Sequence, residues 1–202
     1  MSNSYRSWDR VYHEYPLGAL PWELGKPRPI LVQVVEEGLV KPGKALDICC
    51  GAGTNTVHMA QKGFKATGLD ISHKAIEYGR KKAEKAQVKI RWIIGNALDF
   101  PFEDGEFDFV FDMGCFHHIH LEDGDRFIKG LCRITKSDGQ YLLTCFSDRN
   151  GPAWNHFTKD QLIELFSSRF TFQKVAHYGS AEGDGLIRFF YTVLMQKKRR
   201  PC

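Results

Sequence analysis

The sequence predicts an α/β fold: a mostly parallel seven-stranded sheet with one antiparallel edge strand, and helices on both faces. Three observations carry this expectation. Short apolar runs alternate with helical spacings from Lys44 onward, tight turns join them, and the last third breaks that rhythm with two runs joined by a short glycine-rich connection. The chain has 202 residues, 43% apolar and 26% charged, enough for one well-buried domain.

The first strand is expected over Lys44 to Cys49, followed by the turn Gly51-Ala52-Gly53 and a short helix ended by Gly63. Lys65 to Asp70 reads as the second strand. Ser72 then caps a helix running to about Ala86, with Ala75, Ile76, Gly79 and Ala83 at helical spacing. Ile90 to Ile94 is the third strand and Phe107 to Met113, alternating apolar and acidic, the fourth. A helix over Arg126 to Ile134 leads to a fifth strand over Tyr141 to Phe146. Thr158 with Gln161 forms a capping-box pattern for the next helix. Phe170 to His177 and Leu186 to Met195 complete the sheet as a hairpin.

Composition excludes several classes. Four of the 28 basic residues stand together at 197–200, which leaves 24 cations against 24 anions in the body. A balanced body has no broad field to gather polyanions, so nucleic acid is not expected as a partner. The start, MSNSYRSWDR, lacks the apolar stretch of a secretory signal, and no run is long enough to cross a bilayer, so a cytoplasmic protein is expected. The six cysteines have no disulfide-scaffold rhythm, and several sit inside apolar runs, where a thiol reads as a small buried hydrophobe. Three segments are expected: a helical lid over 1–42, a core over 43–196, and a disordered basic tail over 197–202.

In such sheets ligands bind at the carboxyl ends of strands, first of all in the loop after the first strand. Here that loop is Asp47 to Gly53, whose glycines let backbone approach a ligand at the start of a helix. Asp70 ends the second strand about twenty residues on, where a carboxylate can accept both hydroxyls of a ribose. Asn96 and Ala97 follow the third strand and can read an adenine edge. A dinucleotide is disfavoured because Thr56 stands where a third glycine is required, and because Asp47 would repel a pyrophosphate. No phosphate-loop lysine motif occurs.

The segments ALDICCGAG, GLDIS, GNALDFPFEDGEFDFVFDMG and LCRITKSDGQYLLTCF together resemble, in order and spacing, the Rossmann-like class I S-adenosylmethionine-dependent methyltransferases. The resemblance covers about half of the chain. It implies S-adenosyl-L-methionine as cofactor and S-adenosyl-L-homocysteine as product. It places Asp47, Cys49, Gly51, Gly53 and Asn55 at the methionine end, Asp70 and Ile71 at the ribose, Asn96 and Ala97 at the adenine, and Asp112 and Met113 at the fourth strand end. Cys49 stands where the family has its first loop glycine, and Asn96 where it has an acid.

The acceptor has to be inferred from what lines the pocket, because in-line methyl transfer chiefly requires alignment. Asp112-Met113-Gly114-Cys115 lacks the Asn/Asp-Pro-Pro-aromatic sequence of base amino-methyltransferases. Pro21 to Pro27 resembles the segment preceding the core in thiopurine, thiol/halide and tellurite-resistance methyltransferases, which puts Trp22 at the pocket. His118, and less strongly Cys115, are the candidate catalytic residues; His118 is the natural general base. Cys115, His117, His118 and His120 lie too close in sequence to converge on one metal, so no metal is expected. Trp154, His156 and Phe157, lifted by the Gly151-Pro152 turn, are expected to form an opposite wall. The expected activity is methyl transfer to a small molecule by a monomer or homodimer; an RNA or protein methyltransferase and a non-catalytic cofactor-binding adaptor are the alternatives.

Overall fold

The computed structural model describes residues 4–199. Strands β1 (Lys44–Ile48), β2 (Lys65–Asp70), β3 (Arg91–Ile94), β4 (Phe107–Met113), β5 (Thr135–Phe146), β6 (Phe170–Ala181) and β7 (Ile187–Lys197) form a seven-stranded sheet in the order β3-β2-β1-β4-β5-β7-β6. The pairs β1/β2, β2/β3 and β4/β5 are parallel, and β7 is antiparallel to β5. The expected α/β class and its antiparallel edge are therefore present. The helices are α1 (Ser4–Glu14), α2 (Pro29–Glu36), α3 (Thr54–Gln61), α4 (His73–Lys85), α5 (Gly124–Ile134) and α6 (Lys159–Phe166). The chain divides into two compact units, one of residues up to 97 with 181–186, the other of 98–180 with 187 onward.

In the first unit, β1 and β2 are buried along almost their whole length, as continuous apolar strands covered on both faces are. Ser72 caps α4 by accepting from the Ala75 N–H at 3.0 Å, and Ala75, Ile76, Gly79 and Ala83 are its buried face. The stretch expected as a helical lid contains α1, a 3-10 turn at Leu17–Ala19 and α2, the last started by Pro29 at a position where its missing N–H costs nothing. Tyr12 and Leu20 pack on Ala75, so α1 lies against α4.

A slot for Trp92 organises this unit. A Cβ on Gly53 would stand 2.4 Å from the indole, one on Gly68 2.5 Å, and one on Gly79 2.8 Å. The start of α3, the middle of β2 and the middle of α4 are glycine because one side chain fills the space between them. Gly68→Ala is expected to cost about 1–3 kcal/mol by overpacking. Chemical denaturation should show that loss, and a second change, Trp92→Leu, should restore most of it if the indole is the cause.

In the second unit, β5 starts at Thr135 rather than at the expected Tyr141. Thr135 pairs with Phe107 but Gln140 pairs with Phe109, so the intervening residues bulge outward. Asp138 adopts φ +62°, and a Cβ on Gly139 would lie 2.8 Å from the Lys136 carbonyl. Lys-Ser-Asp-Gly reads as a turn because locally it is one, inside a strand. The capping box at Thr158 and Gln161 is formed in both directions. The expected free tail needs correction: Lys197 ends β7 with its ammonium donating to the Thr135 carbonyl at 2.7 Å, Lys198 Nζ donates to the Ser167 carbonyl at 2.6 Å, and Arg199 pairs with Asp138. Residues 200–202 of that segment lie outside the described residues.

Candidate active site

The chain leaves β1 through a loop with three left-handed backbone positions: Cys49 at φ +51°, Gly51 at +53° and Gly53 at +73°. Gly53 is the N-cap of α3. Cys49 keeps the glycine-like conformation without being glycine, at a cost of about 1–2 kcal/mol. A Cβ on Gly51 would stand 2.6 Å from the Tyr12 hydroxyl. Close approach therefore demands glycine at both later positions, though the groups approached are Tyr12 and Trp92.

Asp70, at the end of β2, fixes this loop. Its Oδ2 accepts from the Gly51 N–H and its Oδ1 from the Ser72 N–H, both at 2.8 Å. Burial pushes its pKa up to about 6, against the opposing pull of the backbone N–H groups of Ser72, Gly51 and Ile71. Asp47 is 2% exposed and accepts from the Thr56 hydroxyl at 2.5 Å in the first turn of α3. Gly95 donates to the Asp70 carbonyl, which sets Asn96 and the buried Ala97 just beyond it.

The Trp22 segment lies in the same unit. Its indole N–H donates to the Tyr12 hydroxyl at 3.0 Å, and its ring meets Trp8 edge-on at 5.7 Å. Asn55, expected at the cofactor, uses its side-chain carbonyl to accept from the Arg28 backbone N–H at 2.9 Å. It supports the loop from behind. Tyr12, Arg28 and Trp92 were not singled out from sequence. Tyr12 and Arg28 belong to a stretch read only as an aromatic cover, and Trp92 lacks any signal except the three glycines that face it.

In the second unit the end of β4 is a buried polar knot. Asp112 is wholly buried and accepts from the Cys115 N–H at 2.8 Å, the Phe116 N–H at 3.2 Å and the Tyr141 hydroxyl at 2.9 Å. Burial raises its pKa to about 7, opposed by those donors. Asp112 has no exposed surface, and its oxygens hold the turn after Met113.

The histidines of that turn have separate fates. His117 is 3% exposed, accepts from the Phe146 N–H at its Nδ1 and stacks on the Phe146 ring at 3.9 Å. Burial, then His118 and His156 nearby, hold its pKa well below the usual value. His118 reaches solvent, yet enough protein surrounds its ring to lower its pKa. Cys115 is 2% exposed, and Cys50 and Cys145 are buried free thiols. Of the expected opposite wall, Phe157 is instead buried and stacked on Phe116, while Trp154 is half exposed and stacks on His120 at 5.2 Å. Among the described residues no three His, Cys, Asp or Glu side chains are placed to hold a metal ion.

Residues 45–139, which contain the glycine loop, Asp70, Asn96 and Asp112, match the family model described as a methyltransferase domain. The chain carries a methyltransferase domain and is similar to the class I S-adenosylmethionine-dependent methyltransferases. This methyltransferase is 26% identical over 173 residues to 2-heptyl-1-hydroxyquinolin-4(1H)-one methyltransferase of Mycobacteroides abscessus, covering 82% of this chain and 75% of that one. It is 30% identical over 155 residues to ajmaline N-methyltransferase of Rauvolfia serpentina, covering 67% of this chain but only 52% of the plant protein. Among solved structures, one concerning conversion of a disulfide bond into a thioacetal group during echinomycin biosynthesis has a TM-score of 0.85 at 22% identity, covering 97% of this chain and 93% of that one. Burkholderia thailandensis 1,6-didemethyltoxoflavin-N1-methyltransferase, solved with its substrate and S-adenosylhomocysteine, has a TM-score of 0.70 at 18% identity, covering 96% and 84%.

S-adenosylmethionine is the cofactor of the methyltransferase, and the residues present fit it. The Asp70 oxygens accept from the Gly51 and Ser72 N–H groups and, as a carboxylate with about four acceptor sites, keep capacity for ribose hydroxyls. The loop backbone turns at the mouth of a helix, and the Asp47 carboxylate beneath it suits an ammonium rather than a phosphate.

Proposed function

We propose that the methyltransferase moves the methyl group of S-adenosylmethionine in line onto a small-molecule nucleophile held under its N-terminal segment. The observation that carries this reading is the approach of the Tyr12 hydroxyl to Gly51, with the Trp22 indole hydrogen-bonded to that hydroxyl, which brings aromatic side chains of the N-terminal segment beside the glycine loop. The names of the relatives support it, since those proteins act on a heptyl-hydroxyquinolinone, on ajmaline and on a didemethyltoxoflavin.

In this reading Trp22, Asp47, Cys49, Gly51 and Gly53 hold the methionine end of the cofactor. Asp70 and Ile71 hold the ribose, and Asn96 with Ala97 the adenine. Asn55 and Asp112 position loops rather than touch the ligand, and Met113 borders the reacting end. When bound, the cofactor supplies a methyl carbon on a cationic sulfur, which departs as the neutral thioether of S-adenosylhomocysteine as the acceptor's lone pair bonds to that carbon. His118 takes the acceptor's proton: its lowered pKa keeps the ring neutral and basic near pH 7. The protein acts in the cytoplasm as a monomer or homodimer, without nucleic-acid or membrane partners. No helix among the described residues is long and apolar enough to cross a membrane.

Labelled-methyl transfer tests the reading directly. A panel of hydroxyquinolines, phenols, N-heterocycles and thiols should yield at least one labelled product, whereas bulk RNA and histone should yield none; label only in the macromolecules would refute it. On a protonated acceptor such as a phenol, His118→Ala should lower kcat about 100-fold, with the KM for S-adenosylmethionine unchanged. Unaltered kcat in that variant would remove the base assignment.

A further inference from the structure

Arg28 and Glu182 are 154 positions apart and form a two-pronged ion pair, with Nη1 to Oε1 and Nη2 to Oε2 both at 2.8 Å. Arg28 is 4% exposed and Glu182 7%. A surface ion pair between these residue types would contribute little and would not need burial, so the placement asks for another explanation. The remaining contacts supply one. Arg28 Nη2 also donates to the Trp22 carbonyl at 3.0 Å, and its backbone N–H donates to Asn55 in the first turn of α3. Gly183 donates to the Pro21 carbonyl at 2.8 Å, and a Cβ there would stand 3.1 Å from the same oxygen.

The tip between β6 and β7 is therefore fastened to the Trp22 segment on both sides of the tryptophan. The same segment is fastened below: Glu23 accepts from the Thr54 hydroxyl at 2.8 Å and pairs with Lys82 at 3.1 Å. Trp22 itself is 38% exposed, and its indole N–H donates to Tyr12, whose hydroxyl stands beside Gly51. Its position is set by what grips its backbone rather than by its own burial.

We propose that Arg28 and Glu182 are positioning residues for methyl transfer, forming a clasp through which the hairpin tip holds the Trp22 segment over the methionine end of the bound cofactor. This rests on the cofactor placement proposed above. The guanidinium is suited to the task because its planar fork serves a carboxylate with two donors while still reaching the Trp22 carbonyl, which a lysine ammonium cannot do. Opening the clasp frees Trp22 together with Tyr12, and the cofactor loop loses its cover while Asp70 and Gly51 stay paired.

Removal of one partner alone would strand a buried charge and could unfold the protein, so the informative variant replaces both. Arg28→Met with Glu182→Leu keeps the packing and removes the charges and the hydrogen bond to Trp22. Binding of S-adenosylhomocysteine is measured by calorimetry, with hydrogen exchange at residues 22–28 and 183 and thermal melting of the unliganded protein. The expected result is an unchanged melting temperature, faster exchange at those amides, and binding roughly tenfold weaker. Arg28→Lys should fall between the double variant and wild type. Binding and exchange equal to wild type in a folded double variant would overturn the clasp. Absence of S-adenosylhomocysteine binding in the wild-type protein would overturn the cofactor placement, and the clasp with it.

Discussion

Asp70→Ala is expected to weaken S-adenosylhomocysteine binding about a hundredfold or more. Two charge-assisted hydrogen bonds to the ribose, at roughly 1.5 kcal/mol each, set that scale, and the variant also releases the Gly51 and Ser72 N–H groups that the carboxylate fixes. The raised pKa gives a second signature. Ligand hydroxyls favour the ionised carboxylate, so as pH falls through about 6 the affinity should fall with it, approaching tenfold per unit below that point. Calorimetry from pH 5 to 8 reads both effects. A pH-independent affinity, or an alanine variant that binds as wild type does, would remove Asp70 from the cofactor site.

Asp112→Ala should be the most destabilising single change at the end of β4, at about 3–5 kcal/mol. It orphans the Cys115 and Phe116 N–H groups and the Tyr141 hydroxyl in a fully buried place. Asp112→Asn keeps an acceptor and isolates the titration. Because the folded pKa is raised from 3.8 to about 7, the folded state holds the proton more tightly than the unfolded chain. The contribution of that proton to stability is fully present below about pH 4 and is lost as pH rises through 7. The stability of wild type relative to the asparagine variant should therefore fall from pH 4 to 8. Urea unfolding across that range measures it, and a wild type that gains stability relative to the asparagine variant as pH rises would contradict the buried-carboxyl account.

Elements whose local chemistry and burial agree were legible in the sequence. The apolar runs of β1 and β2, the Ser72 cap and the Thr158 capping box all appear where they were expected. Legibility failed where one feature serves two ends. The Lys136 to Gly139 bulge uses turn residues inside β5, so its first six residues read as loop. Gly53 reads as a ligand-approach glycine, but Trp92 from β3 also fills the space its missing Cβ leaves. Asp112 reads as a strand-end acid facing a ligand; its orientation inward is decided by Tyr141, 29 residues on, which no local pattern encodes.

Long-range partners account for the rest. Nothing near Arg28 announces that its counter-charge stands at position 182, inside a segment that reads only as a glycine-rich turn. Cys49 shows the converse case, a departure from the family's glycine in which the left-handed backbone is retained and the cost is borne locally.

A crystal structure of the methyltransferase grown with S-adenosylhomocysteine tests the central claim most directly. The account predicts the adenosyl ribose with both hydroxyls within hydrogen-bond distance of the Asp70 carboxylate and the amino-acid end along the loop from Asp47 to Gly53. A ligand bound elsewhere, or an Asp70 carboxylate still contacting only Gly51 and Ser72 beside it, would contradict it.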